Sequence, residues 1–232
     1  MINQGKADTP LLFKLLQVGA LIANLYYLIH MLNLNVIFGK GITFHAIWKQ
    51  LCYLTNLDHI LIFFYHFWSI LTFLKGQQRS TSLKKFYQFV FNLSFLASVT
   101  YWALRSIDSR LVHGKHSPEQ LGQVYQIFIH GFNHFLLFLE LFIEDKRNEW
   151  SSSFLQFTPF ALLYTVQIAV EEFYFGRYVY PFFKLIKPYG FLTALISIPV
   201  LVVIDKLYTQ RLFHHYQSKY VEEENNTKNK ID

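Results

Sequence analysis

Two stretches of the chain hold side chains able to do chemistry, and both are short polar interruptions of apolar sequence. One carries Thr55, Asp58, His59 and His66; the other carries Gln123, Gln126, His130, Asn133 and His134. Wound as helices at about 100° per residue, Thr55, His59 and His66 fall within about 40° of one another, with Asp58 about 60° to one side. The second set shares an arc of about 100°. A hydroxyl beside an imidazole is the minimal arrangement for nucleophilic catalysis, because an alcohol at its ordinary pKa attacks poorly until a base takes its proton. Thr55 and His130 are such a pair if their helices meet, and the expected reaction is attack on an ester.

Two other readings use the same residues. His130 and His134 have the i, i+4 spacing of metal ligands and could face His59 and His66. Asp58 is the one carboxylate at matching depth, so no metal is expected. Thr and His in apolar helices also serve only to lock helices together, at about 0.6 kcal/mol per bond. Glu171 and Glu172 read as a solvated helix end with Arg177 as a partner. Cys52 is the single cysteine, which excludes an intrachain disulfide framework.

The elements that must position these groups follow from composition. Of 232 residues, 53% are hydrophobic, 19% aromatic and 16% charged. Soluble domains carry about one quarter charged residues, so this chain cannot clothe itself for water and reads as a membrane protein. Apolar segments at 11–33, 51–74, 86–105, 121–143, 155–175 and 188–208 each match the length of about 20 residues that one crossing needs. They lack the alternation of barrel strands, so helices are expected. The expected architecture is all-α, an integral membrane bundle of about six transmembrane helices. Residues 1–10 form a cytosolic N-terminus, 11–208 the bundle and 209–232 a charged cytosolic tail. The first segment reads as retained, because its apolar run is too long for a signal peptide. No internal repeat is visible, and Pro199 alone marks a kink.

The net charge of +6 does not point to nucleic acid, since the cations sit in clusters between apolar runs. Assigning each Lys and Arg to the nearer face puts 13 of the 21 with the N-terminus, second loop, fourth loop and tail, and 8 on the other side. By the positive-inside rule both termini face the cytosol. Lys228 and Lys230 resemble the dilysine signal of endoplasmic-reticulum proteins; the expected location is the endomembrane system (endoplasmic reticulum), with the plasma membrane as the alternative. Asn225-Asn226-Thr227 is a glycosylation sequon usable only from the lumenal side.

The sequence resembles the androgen-induced-gene and androgen-dependent TFPI-regulating protein family, the FAR-17a-like multi-pass membrane hydrolases. Trp48-Lys49, then Tyr53-Leu54-Thr55-Asn56-Leu57-Asp58, are similar to the family's Trp-Lys and its aromatic-Leu-Thr-x-apolar-Asp/Asn segment. Trp102, Asp108, His130 and Glu140 follow at the family's separations, and Tyr178-Val179-Tyr180-Pro181 is similar to its Trp-Val-Tyr-Pro. The family usually has a first histidine three residues before the catalytic one, preceded by Asn, with Thr after the second; this chain departs there, with Ile127, Phe128 and Gly131. Aligning the His-Gly step instead would make His134 catalytic at the expense of the Glu140 spacing. Thr43 is a rival nucleophile but lacks the following Asp.

The resemblance implies a multi-pass membrane threonine hydrolase that cleaves fatty acid esters of hydroxy fatty acids, with Thr55 as nucleophile and His130 as base. Asp58 or Asn133 would orient the imidazole, and Gln126 and His134 are candidate oxyanion donors. Its substrate would be a lipid entering from the bilayer, with no cofactor and no nucleic-acid partner. The alternative is a non-catalytic membrane protein that binds lipid or regulates a partner.

Overall fold

In the computed structural model the described residues are 11–37, 43–77, 80–113, 123–143 and 154–185, with Val203 and Leu207. They are all-helical, with no strand among them. The sixth expected segment, Pro199, the first ten residues and the tail with Lys228, Lys230 and Asn225 lie outside them, those two residues apart. The helices are α1 (Leu11–Ile37), α2 (Phe44–Leu51), α3 (Leu54–Leu74), α4 (Thr81–Ile107) and α5 (Arg110–His113). There follow α6 (Gln123–Ile127), a π-helical turn (Phe128–Phe132), α7 (Asn133–Ile143), α8 (Phe154–Phe173) and α9 (Pro181–Leu185). Lys14–Leu32 and Leu54–Leu74 are long and apolar enough to cross a membrane.

Local chemistry sets several of these boundaries. Ser80 has extended backbone and its hydroxyl accepts from Leu83 N at 3.2 Å, capping α4. α3 stops at Gly76, whose φ of 63° suits glycine. There Gln77 N donates to Thr72 O and Gly76 N to Phe73 O, the two bonds of a Schellman end. Asp108 closes α4 and accepts from Arg110 N at 2.9 Å, so the chain turns directly into α5.

α3 is the central helix, packed against α1 on one side and α4 on the other, and α7 packs against both α1 and α4. Ile62, Tyr65, Leu83, Tyr87, Val90, Phe91 and Leu137 form the core between α3, α4 and α7. A second cluster, Cys52, Tyr164, Ile168, Val179 and Phe183, ties the α2–α3 turn to α8 and α9. The polarity of the helices is inverted relative to a water-soluble bundle. In α1 the buried face carries Gln17 and Asn24 while Leu15, Ile22, Leu25 and Ile29 are exposed. In α3 Asn56, Asp58, His59, His66 and Ser69 are buried, and Phe64, Phe67, Trp68 and Phe73 are exposed. Apolar outside and polar inside is the arrangement that hydrocarbon, not water, favours.

Candidate active site

Thr55 is the second residue of α3, and the start of that helix is built from four elements. Leu54 N donates to the Tyr180 hydroxyl at 2.9 Å, so a side chain from the segment before α9 satisfies one of the amides that a helix start leaves free. Tyr180 also meets the Tyr164 hydroxyl at 3.1 Å, and Tyr164 donates to Cys52 O at 2.8 Å. Asn56 donates to Gln50 O and Gln50 Oε1 and accepts from the Tyr27 hydroxyl. Glu171 is no solvated helix end, as its sequence position suggested: it is fully buried, accepts from Trp48 Nε1 at 2.6 Å and pairs with Arg177. Trp48 and Tyr180, visible in the sequence only as motif letters, therefore hold the turn that presents Thr55.

His130 lies in the π-helical turn, a wider helical turn that recurs at functional sites. The turn's carbonyls are met by side chains: Ile129 O by His59 Nε2 at 3.1 Å, and His130 O by the Ser98 hydroxyl. The His130 ring stacks on Tyr101 with centroids 3.3 Å apart and planes 9° from parallel. Its Nδ1 stands 3.2 Å from Thr55 Oγ1. With the ring proton on Nε2, Nδ1 accepts the threonine proton, which is the geometry of a nucleophile facing its base. Both residues are half-buried.

The other residues singled out in the sequence do not touch this ring. Asp58 is buried beside Ser94, its hydrogen-bond partner, and its Oδ1 has none among the described residues. Asn133 exchanges amide bonds of 3.1 Å with Asn24 and donates to His59 Nδ1 at 2.9 Å. Neither orients the His130 imidazole; Tyr101 and the π turn do. His134 is not beside Thr55 but packs against Phe91, Phe95 and Phe138. His66 meets Glu140 Oε1 at 3.0 Å, and Glu140 also accepts from Tyr65 at 2.7 Å and Gln17 at 3.3 Å. The four histidines thus serve four different environments, and among the described residues no group of three His, Cys, Asp or Glu could hold a metal ion. Thr43 stands exposed before α2, its carbonyl bonded to Ile47 N. The Gln123 side chain lies outside what is described.

Tyr101 joins the pair to two further groups. Its hydroxyl donates to Gln126 Oε1 at 2.8 Å and receives Arg105 Nη1 at 3.3 Å. Gln126 is 1% exposed and its Nε2 has no partner among the described residues. A buried unpaired donor costs about 1–3 kcal/mol unless something fills it. A separate apolar cavity of about 350 Å³ on α8, lined by Leu162, Thr165, Val166, Ala169, Val170, Phe173 and Tyr174, shares no residue with the pair.

A family model described as FAR-17a/AIG1-like protein matches residues 9–214. No curated protein and no solved structure matches the chain.

Proposed function

The chain belongs to the FAR-17a/AIG1-like family, and from that premise we propose that it is a multi-pass membrane threonine hydrolase cleaving fatty acid esters of hydroxy fatty acids. The observation that carries the reading is the 3.2 Å contact between Thr55 Oγ1 and His130 Nδ1, residues 75 apart in sequence. His130 takes the threonine proton as the oxygen attacks the ester carbonyl. The tetrahedral intermediate collapses, the bond to the alcohol oxygen breaks, and His130 returns the proton to the leaving hydroxy acid. Water, deprotonated in turn by His130, attacks the threonyl ester and releases the fatty acid and the free Thr55.

Thr55 occupies the first turn of α3, so in a six-span bundle with cytosolic termini the pair lies near one membrane face. A lipid reaches it sideways and water from the end; acylation needs the first and deacylation the second. The inverted polarity of α1 and α3 supports the membrane setting, and the endoplasmic reticulum or the plasma membrane is its expected place.

The test is labelling of the purified full-length protein by an active-site-directed fluorophosphonate. Wild type should label; Thr55→Ala should not, and His130→Ala should label about 10²–10⁴-fold more slowly. Labelling that persists in Thr55→Ala, or is absent from wild type, removes the threonine mechanism.

A further inference from the structure

The Tyr101 hydroxyl gathers Gln126, a candidate oxyanion donor, and Arg105, which the proposed ester chemistry does not use. Gln126 spends its oxygen on Tyr101 and leaves Nε2 buried and, among the described residues, unpartnered. Arg105 donates through Nη1 to the same hydroxyl, and its guanidinium lies 5.2 Å from the Trp102 ring centroid. It is half-buried and forms no ion pair with any described carboxylate. A guanidinium fork held by one arm, beside a carboxamide N–H with no acceptor among the described residues, is a pair of donors suited to an anion. The ring that organises both is the ring stacked on His130.

We propose that Arg105 and Gln126 form a carboxylate-binding site that anchors the free acid end of an acyl substrate while its ester lies against Thr55 and His130. The proposal rests on the hydrolase reading for what happens at the ester, and on Arg105, Gln126 and Tyr101 alone for the binding. A fatty acid ester of a hydroxy fatty acid carries one free carboxylate, on the same chain as its ester oxygen. Depth fits as well. Arg105 is in the last turn of α4 and Thr55 in the first turn of α3; the two helices pack together, so the cation stands at the end of the bundle where an amphiphile keeps its charged group. Gln126 and Arg105 would then be specificity residues, selecting acids over neutral esters such as glycerides.

The experiment measures binding, not turnover. A non-cleavable ether analogue of the substrate, as the free acid and as its methyl ester, is titrated onto the full-length protein in detergent. Wild type is expected to bind the acid about tenfold or more tightly than the methyl ester, the size of one charge-assisted contact. In Arg105→Gln and in Gln126→Leu that ratio should fall toward one, and Arg105→Lys should restore part of it. A wild type without preference, or a preference that survives in both variants, overturns the proposal. Failure of the threonine mechanism shows separately, as loss of fluorophosphonate labelling from wild type, and leaves the acid-to-ester ratio untouched.

Discussion

Two histidines four positions apart in the sequence have taken opposite surroundings, and this decides which one can act. His130 meets a hydroxyl; His134 meets the faces and edges of Phe91, Phe95 and Phe138, with Nδ1 buried and unpartnered among the described residues. That nitrogen costs about 1–3 kcal/mol, whereas a phenyl ring would find the same aromatic neighbours at no such cost. His134→Phe should therefore keep fluorophosphonate labelling of Thr55 and raise the thermal midpoint in detergent, while His130→Phe should lose labelling. A folded His134→Phe protein that no longer labels would hand the base role to His134. Glu140 tells the complementary story of a buried carboxyl group with partners. It gathers Gln17, Tyr65 and His66, so Glu140→Leu should destabilise by about 1–3 kcal/mol for each buried donor left unsatisfied, and adding His66→Leu should recover part of it, because the expensive state is one partner left alone. Chemical denaturation of the single and double variants reads the difference.

At the scale of the element, the start of α3 is the machine part that matters. Tyr180→Phe keeps the aromatic packing on Phe182 and Phe183 but removes the hydroxyl that Leu54 N donates to at 2.9 Å. The expected loss is about 1–3 kcal/mol of stability, with hydrolysis falling through kcat more than KM as Thr55 loses its fixed approach to His130. An unchanged kcat would mean that the helix start is held without the cap. The α4–α5 turn offers a pH reading outside the membrane segments. Hydrogen bonds from Arg110 hold the exposed Asp108 carboxyl below its ordinary pKa. A depressed carboxyl stabilises above its unfolded pKa and ceases to as pH falls through the folded one, so Arg110→Ala should return Asp108 to the usual carboxylate range, read by carboxyl-carbon NMR. Five of the six apolar runs were legible because hydrophobic length alone marks a helix, and Thr55, His130 and their mutual approach were legible because polar groups on apolar helices must face inward. The π turn at 128–132 was not, since a single extra backbone residue leaves no mark on a periodicity of side chains. Nor was the role of α1, although Gln17, Ala20, Asn24, Tyr27 and Met31, all buried, recur at helical spacing. Two amides among so many leucines carry little pattern until their partners on α3 and α7 are known.

Across the whole molecule, the inverted polarity and the distribution of cations ask for the same setting, and the setting makes a prediction about topology. Helices that hide Gln17, Asn24, His59, His66, Glu140 and Glu171 while exposing large apolar groups such as Ile22, Phe64, Phe67, Leu163 and Val166 suit hydrocarbon around them. Once they are placed there, the expected orientation follows from the excess of Lys and Arg at the N-terminus, second and fourth loops and tail, which should retain those segments on the cytosolic side. The third loop is then lumenal, and so is the end of the bundle where α3 begins and α4 finishes, which puts Thr55, His130 and Arg105 on the lumenal half. The sequon at Asn225 should stay unmodified in cells, with no shift on endoglycosidase treatment. Because Cys52 is the single cysteine, a Cys52→Ser background isolates added thiols. In sealed microsomes an impermeant maleimide should reach Ser218→Cys in the tail at once, and Ser117→Cys in the third loop only after the membrane is opened. Glycan on Asn225, or the reverse order of labelling, would invert the bundle and move Thr55 and His130 to the cytosolic half, where a different pool of lipid and water would meet them.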